Sequence, residues 1–189
     1  VMTLVSHPVS ACIALGISTG EIVFIDSRNY QVIFSEKYHD HSVDQITWIN
    51  SSSDLLFTSA KLENEVIGID LKMPNVPFSV VETKRNSSRS ISLSCGNYEN
   101  GKCALFVGNE ESEALIFDIN NESKLLGTIG DGPSPLAVYN NNKDVVAVAS
   151  GKHEIIDYDL DYSDDDHNEI LREVTYEPIL KSFGLYIKS

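Results

Sequence analysis

An apolar run that ends on an aspartate occurs four times in this chain, and this repeat constrains the fold more than any other feature. The four stretches are EIVFID, EVIGID, ALIFD and IIDYD, and they end on Asp26, Asp70, Asp118 and Asp159. By their residue numbers, successive acids are 44, 48 and 41 residues apart. Such an acid can end a strand by accepting backbone N–H bonds in the following turn. The sequence therefore predicts a structural role for these four residues rather than a catalytic one.

Each repeat unit divides into the same sequence of apolar and polar segments. Inner strands are predicted at 43–50, 90–96 and 135–141, and polar turns follow them. The next runs, ACIALGIS, LLFTSA, CALFVGN and VVAVAS, are almost continuously apolar, which suits strands covered on both faces. The aspartate-terminated stretches form third strands, and the more polar QVIFSEKY, PFSVVET and KLLGTIG suit outer strands. Only NEILREV, at 168–174, hints at a helix.

Units of about 40 to 45 residues with four strands are typical of propeller blades. The sequence thus predicts an all-β protein, a β-propeller of about four four-stranded antiparallel blades that belongs to a larger ring of six to eight. The predicted blades occupy approximately 1–38, 39–83, 84–131 and 132–162. Residues 163–189 are expected to form an acidic loop and then a C-terminal strand or the start of a further blade. Because the chain begins on Val1 rather than Met, we expect it to be a piece of a longer protein.

Over about residues 1–162, the repeat resembles a divergent tryptophan-aspartate (WD) repeat β-propeller. The segment VDQITWINSSSDLLFTSA follows the inner-strand pattern of that family, and His7-Pro8 and His39-Asp40-His41 stand where the family often has a histidine. The family's Trp-Asp pair is replaced by Ile-Asp twice, by Phe-Asp and by Tyr-Asp. The segment KLLGTIGDGPSPLAVYNNNKDVVAVAS is similar instead to bacterial seven-bladed repeats related to quinoproteins and surface antigens. Both resemblances imply a propeller.

In the WD family, a further aspartate usually lies in the tight turn before the third strand, seven residues before the closing acid. There it joins a network of side-chain hydrogen bonds. At this position the chain has Thr19, Glu63, Glu111 and Lys152. We therefore expect the network to be absent.

The residues favour neither a metal site nor a catalytic site. His39 and His41 form an HxH pair, which can place two imidazoles on one face of a strand, but no third ligand is evident. Structural or solvated histidines are thus favoured over a metal site. No nucleophile motif occurs, and Cys12 and Cys103 fall within apolar strands as core thiols. Three cysteines cannot all pair within one chain, which favours a reducing compartment. No cofactor is expected.

The chain is strongly acidic, with 28 Asp and Glu against 14 Lys and Arg and a formal net charge of −14. This charge disfavours nucleic acid and anionic membranes and favours proteins with basic segments as partners. No apolar run approaches the roughly 20 residues that span a bilayer, and the first residues lack the basic start of a secretory signal. We therefore expect an intracellular protein, cytoplasmic or nuclear, without membrane insertion.

The run DLDYSDDDHNE at 159–169 is too acidic to pack in a core and is predicted to be an exposed loop. It is interpreted either as a protein-binding segment or as an aid to solubility. The candidate protein-binding residues are Asp164, Asp165, Asp166 and Glu169, with Glu110, Glu111 and Asp131 as rim contacts. Candidate phosphorylation sites are Ser87, Ser88 and Ser163, although the basic segment around the first two also suits a solvated loop.

Two functions compete at this stage. The WD-repeat resemblance implies a non-enzymatic protein–protein interaction scaffold, as a subunit of an intracellular hetero-complex. The alternative is an enzyme on a propeller, hydrolase or lactonase-like, with its site at the central channel. The loops expected at one mouth of the channel carry Thr19, Asn64, Glu110, Glu111, Lys152 and His153. Because these side chains share no consistent chemistry, the scaffold is favoured.

Overall fold

The computed structural model describes residues 1–49, 54–83, 92–98, 102–108, 114–129, 136–140, 145–157 and 172–184 of the 189. These residues form fifteen strands in four antiparallel sheets, and they include no helix. We call the four sheets blades 1 to 4 in chain order.

Blade 1 consists of β1 (Thr3–Ser6), β2 (Cys12–Gly16), β3 (Glu21–Asp26) and β4 (Gln31–Lys37). Blade 2 consists of β5 (Val43–Trp48), β6 (Leu55–Ala60), β7 (Glu65–Asp70) and β8 (Ser79–Glu82). Blade 3 consists of β9 (Leu93–Tyr98), β10 (Lys102–Val107), β11 (Ala114–Asp118) and β12 (Lys124–Ile129). Blade 4 consists of β13 (Leu136–Asn140), β14 (Val145–Asp157) and β15 (Arg172–Gly184).

The first three blades are meanders in which each strand pairs with the next strand along the chain. The prediction of an all-β chain built from four-stranded antiparallel blades is confirmed for these three. Blades 1 and 3 also share a β-bulge at equivalent places, between Phe24 and Ile25 and between Ile116 and Phe117. A bulge strengthens the local twist of a strand. The repeat in the sequence is therefore a repeat in backbone geometry.

Blade 4 differs from the prediction. The runs at 145–150 and 155–161 were expected to be two strands joined by a turn near Lys152, but Val145–Asp157 is one strand. Along all of its 13 residues β14 pairs with β15, so β15 takes the place of the third strand. The continuous ladder gives the backbone groups of β14 that face β15 hydrogen-bond partners along the whole strand. The end of the suspected helix, Arg172 to Val174, also lies in β15.

The core of this fold lies between the sheets. One apolar cluster joins blades 1 and 2 and includes Phe24, Trp48, Leu56 and Ile69. A second cluster joins blades 2 and 3 and includes Phe57, Val66, Leu105 and Phe117. Blade 2 therefore buries both of its faces, which explains why LLFTSA is almost continuously apolar.

Truncation of a side chain between two blades is expected to destabilise the fold strongly. Phe57 is fully buried in the cluster between blades 2 and 3, and its ring packs edge-on against Phe78 with centroids 5.4 Å apart. We expect Phe57→Ala to lower the free energy of unfolding by about 3 to 5 kcal/mol, because a cavity remains. The control Val80→Ala, at a residue 53% exposed, should change it by less than about 0.5 kcal/mol. Urea unfolding measures both, and equal midpoints would contradict this packing.

Candidate functional site

A buried network of polar side chains joins blade 1 to blade 2. His39 lies in the segment that leaves β4 and enters blade 2, and its side chain has no exposed surface. Its Nδ1–H donates to Glu63 Oε2 at 2.6 Å, and its Nε2 lies 2.9 Å from Thr58 Oγ1. Thr58 is on β6, and Glu63 is in the turn between β6 and β7. The imidazole thus fastens the connecting segment to the second sheet.

The Glu63 carboxylate also holds the backbone of the same segment. Its Oε1 accepts the N–H groups of Asp40 and His41, each at 2.8 Å. Burial alone would raise the pKa of Glu63. The hydrogen bonds from His39, His41 and Asp40, together with the charge that His39 can carry, outweigh burial and place this pKa below its ordinary value of 4.5. The carboxylate therefore remains ionised to lower pH than a free glutamate does.

On its other side, the connecting segment contacts the β2–β3 turn of blade 1. The carbonyl oxygen of Gly20 accepts the N–H groups of Tyr38 and His39, each at 3.2 Å. Gly20 has φ +90°, and a Cβ built there would lie 1.9 Å from the carbonyl oxygen of His39. Only glycine can occupy this position without moving the backbone. Gly20 and Glu63 thus hold His39 between two blades.

The expectation that this network is absent is wrong for blade 2. Glu63 carries the same carboxylate as the family's aspartate, and its side chain reaches the donors around His39. In blade 1 the equivalent Thr19 makes only a local contact, from its hydroxyl to Glu21 Oε2 at 2.8 Å. Lys152 lies within β14 rather than in a turn, and Glu111 is outside the described residues. The sequence signal for this network is the pair of His39 and Glu63, because glutamate offers the same carboxylate as aspartate.

His7 does not occupy the position of His39, although the sequence suggested a common region. It lies in the β1–β2 turn, where its Nδ1 accepts the N–H groups of Val9 at 3.0 Å and Ser10 at 2.8 Å. Its ring meets that of Trp48 edge-on, with centroids 4.6 Å apart. His7 therefore caps a turn of blade 1 and packs on β5 of blade 2.

The strand-ending acids accept a backbone N–H two residues further along in each of blades 1 to 3. The donors are the amides of Arg28 to Asp26, Lys72 to Asp70 and Asn120 to Asp118, at 2.9, 2.8 and 3.0 Å. In blade 1 the Arg28 guanidinium also donates to the carboxylate, and this contact lowers the pKa of Asp26 to about 2. The fourth acid, Asp159, lies outside the described residues.

The remaining candidate residues from the sequence also lie outside the described ranges and stay predictions. They are Glu110, Glu111, Asp131, Asp164, Asp165, Asp166 and Glu169, with Ser87, Ser88 and Ser163. In the part of the chain that is described, no group of three or more His, Cys, Asp or Glu side chains is arranged to hold a metal ion.

The three cysteines are buried free thiols. Burial raises the pKa of Cys12 and of Cys95, so neither thiol is activated.

One exposed feature beside the network was not predicted. Leu62, in the β6–β7 turn next to Glu63, has φ +65° and is 58% exposed. At the same end of blade 2, Glu65 and Glu82 are directly opposite each other on β7 and β8, and both are exposed. We define the blade 2 rim by four exposed residues, Asp40, Leu62, Glu65 and Glu82. The periodicity of a sequence does not report a left-handed backbone, so the rim could not be found from it.

Comparisons with known proteins support the fold. No family model matches the chain, and no curated protein matches its sequence. Among solved structures, the chain is similar to a WD40 propeller protein in one described as "Crystal Structure of Mitotic Checkpoint Complex". The TM-score is 0.58 at 13% identity, and the match covers 78% of this chain and 45% of that chain. The similarity shows the propeller fold, and this chain spans less than half the length of its match.

In the described part of the chain, no helix has the length and apolarity that a membrane crossing requires.

Loss of the His39 imidazole is expected to weaken the joint between blades 1 and 2. We expect His39→Ala to lower the free energy of unfolding by about 2 to 4 kcal/mol, because the partly buried Glu63 carboxylate and the Thr58 hydroxyl lose their partner. The control His41→Ala removes a 47% exposed side chain that lies 3.3 Å from the same carboxylate, and should cost less than about 0.5 kcal/mol. Chemical denaturation of both variants tests the difference. Equal losses would show that the buried imidazole has no special role.

The Glu63 carboxylate should also make the free energy of unfolding depend on pH in the acidic range. Because its folded pKa lies below 4.5, its contribution is fully present above that value and is lost as pH falls through the folded pKa. Glu63→Gln removes the charge, so wild type should be more stable than this variant at about pH 6, by a margin that shrinks toward about pH 3. Denaturation midpoints over this range give the margin. A margin that grows on acidification would contradict the assignment.

Proposed function

We propose that this chain is a non-enzymatic protein-binding scaffold, a WD-repeat-like subunit of an intracellular multiprotein complex, and that the blade 2 rim contacts a basic segment of a partner. The observation that carries the proposal is the exposed Leu62, held in a left-handed turn beside the His39–Glu63 network.

Leucine is an unfavourable choice for this turn. A left-handed backbone costs a residue with a Cβ about 1 to 2 kcal/mol, whereas glycine and asparagine adopt it readily. The side chain does not recover this cost by packing, since 58% of Leu62 is exposed. Residues held in sparsely populated backbone conformations are concentrated at functional positions. Leu62 therefore has the properties of an apolar anchor for a partner.

The charges around Leu62 favour a basic partner. Glu65 and Glu82 face each other across β7 and β8, and directly opposed like charges destabilise a sheet. Asp40 adds a carboxylate whose side chain is 89% exposed, although Lys37 approaches it at 3.4 Å. A lysine or arginine placed between the two glutamates would relieve their repulsion. The predicted acidic residues Asp164, Asp165, Asp166 and Glu169 would add long-range attraction.

The network beneath the rim supports binding because it holds the rim in place. Glu63 follows Leu62 directly and accepts hydrogen bonds from the His39 imidazole and from the amides of Asp40 and His41. A surface that is ordered before binding loses less entropy when a partner arrives. The structural match is part of a mitotic checkpoint complex, and this analogy of fold supports protein partners without naming them.

Replacing the exposed leucine should separate binding from stability. Asparagine tolerates a left-handed backbone, so we expect Leu62→Asn to leave the free energy of unfolding unchanged or to raise it by up to about 1 kcal/mol. Recovery of partners from cell extract should fall about tenfold or more, as for loss of an apolar anchor. Recovery is measured by affinity capture with quantitative mass spectrometry at low and high salt, and the isolated partner is then titrated against both proteins.

Tyr30 provides a matched control for this experiment. It is 79% exposed with φ 59°, in the β3–β4 turn, which lies at the opposite end of its blade from the β2–β3 turn. Tyr30→Asn changes the same kind of turn and should retain the partners. If both variants lose the same proteins, or neither loses any, the rim is not the binding surface.

A further inference from the structure

The connection between the third and fourth strands is longer and more apolar in blade 2 than in blades 1 and 3. It takes four residues, 27–30, in blade 1 and five residues, 119–123, in blade 3, but eight residues, 71–78, in blade 2. The two short connections read SRNY and INNES, whereas the long one reads LKMPNVPF. Because blades 1 and 3 join the same two strands by a shorter turn, the sheet itself does not require the extra residues. We call residues 71–78 the apolar connection.

Two neighbouring side chains of the apolar connection are exposed to solvent. Met73 and Val76 are 68% and 67% exposed. They are the first and last residues of one β-turn, in which the N–H of Val76 donates to the carbonyl oxygen of Met73 at 3.4 Å. Between Lys72 and Glu82 the sequence has no ionisable side chain. Isolated exposed apolar residues are common, whereas clustered ones mark interaction surfaces.

Both ends of the apolar connection are fixed by the clusters between the blades. Leu71 packs against the cluster between blades 1 and 2, and its N–H donates to the carbonyl oxygen of Asp54 at 2.9 Å. Phe78 packs edge-on against Phe57 of the cluster between blades 2 and 3, and its N–H donates to the carbonyl oxygen of Gly68 at 2.9 Å. A Cβ built on Gly68 would lie 2.8 Å from the Phe78 ring, so glycine makes room for this ring.

The middle of the apolar connection is fixed by Tyr38 and by two prolines. Tyr38 lies in the segment between blades 1 and 2, and its hydroxyl donates to the carbonyl oxygen of Pro74 at 2.5 Å. Burial, together with the nearby Glu36 carboxylate, raises the pKa of Tyr38 to about 12, so the hydroxyl keeps the proton that it donates. Pro74 is the second residue of the β-turn, a position that favours proline, and Pro77 restricts the backbone further. The two exposed side chains are thus held in one arrangement.

We infer that the apolar connection is a second protein-binding surface, and that Met73 and Val76 enter an uncharged apolar pocket of a partner. A turn that is ordered before binding loses less entropy when the partner arrives. The flexible thioether of methionine adapts to the shape of a pocket. A charged group of the partner would lose its hydration here without gaining a counter-charge, so an apolar pocket is the complementary surface.

This surface is separate from the blade 2 rim. Strand β7 runs from the β6–β7 turn, which carries Leu62, to the apolar connection at its other end. A basic partner at the rim and a second partner at the apolar connection therefore occupy opposite ends of the same strand. The inference thus goes beyond the rim proposal, because it gives the scaffold two contacts of different chemistry.

A lipid surface is the other environment that accepts exposed apolar side chains. Segments that lie in a membrane interface combine apolar side chains with Lys and Arg, which attract anionic lipids. The apolar connection has one cation, Lys72, and its Nζ is paired with Asp54 Oδ2 at 2.7 Å. The whole chain carries a net charge of −14. These charges favour a protein pocket over a membrane.

Photocrosslinking of the full 189-residue chain identifies the partner. The photoreactive residue p-benzoylphenylalanine replaces Val76, the protein is irradiated in cell extract, and the cross-linked proteins are identified by mass spectrometry. The same residue in place of Val32, which is 61% exposed on β4, is the control. We expect a protein that is cross-linked from position 76 and not from position 32.

Titration of this protein, once purified, measures the contact. The double variant Met73→Ser and Val76→Ser should weaken binding at least about tenfold, because it removes both apolar side chains. The matched control, Val32→Ser and Ile33→Ser, changes two neighbouring apolar residues that are 61% and 59% exposed, and should bind as the wild type does. Circular dichroism and urea midpoints show whether both variants are folded.

A third variant tests whether the turn is ordered in advance. Tyr38→Phe keeps both exposed apolar side chains and removes only the hydroxyl that donates to Pro74. We expect it to weaken binding by about two- to tenfold, as for the loss of one hydrogen bond that orders the turn.

Four results would overturn the inference. They are no protein cross-linked preferentially from position 76, an affinity that the Met73→Ser and Val76→Ser variant retains, an equal loss in the Val32→Ser and Ile33→Ser control, and binding to phosphatidylcholine vesicles that the first variant abolishes. Leu62→Asn should leave this affinity unchanged, and partners of the rim should still bind the first variant. Failure of the rim proposal and failure of this inference are thus told apart.

Discussion

The first three sheets of this protein each have two apolar faces, and an apolar face of a sheet leaves water only by packing against another element. The clusters around Phe24 and Trp48, and around Phe57 and Leu105, lie between blades and depend on both neighbours. A single blade would therefore expose most of its apolar surface to water, at a cost of roughly 25 cal/mol per Å². The same constraint explains the continuous hydrophobicity of LLFTSA, the second strand of blade 2, which is covered on both faces.

Apolar packing holds the blades together but does not by itself determine their orientation, because the hydrophobic effect is not directional. Directional contacts at the joint between blades 1 and 2 provide that orientation. The connecting segment is held by Gly20 on one side and by Glu63 on the other, with the His39 imidazole buried between the sheets. A fully partnered polar group in a low-dielectric joint favours one arrangement over its alternatives, since any shift leaves a buried donor or acceptor without a partner.

The acidic surface proposed for binding differs in chemistry from the surfaces that hold the blades together. The blade 2 rim carries carboxylates around one exposed leucine and lies at the strand ends, where loops can meet a charged partner. The surfaces between blades are apolar and buried. Charged surfaces favour encounter with an oppositely charged partner, whereas apolar sheet faces favour permanent burial.

The sequence by itself determined the strand pattern. The apolar runs and the residue period are local features of the sequence. So are the acids at the strand ends, because Asp26, Asp70 and Asp118 each accept the backbone N–H only two residues further along the chain. Contacts between residues so close in sequence form whichever tertiary structure the rest of the chain adopts. For the same reason, polar runs in the sequence predict the outer strands.

Only the tertiary structure decided which distant residues meet. His39 reaches Thr58 and Glu63 across 19 and 24 residues, a contact that exists because the segment after β4 enters blade 2 beside the β6–β7 turn. Likewise β14 continues through Lys152 because β15 pairs along its whole length, which no local pattern reports. The left-handed backbone of Leu62 follows from the geometry of a turn held at both ends by neighbouring strands. These features depend on long-range packing. A pattern of residue types along the chain indicates only the local conformational preference of each residue.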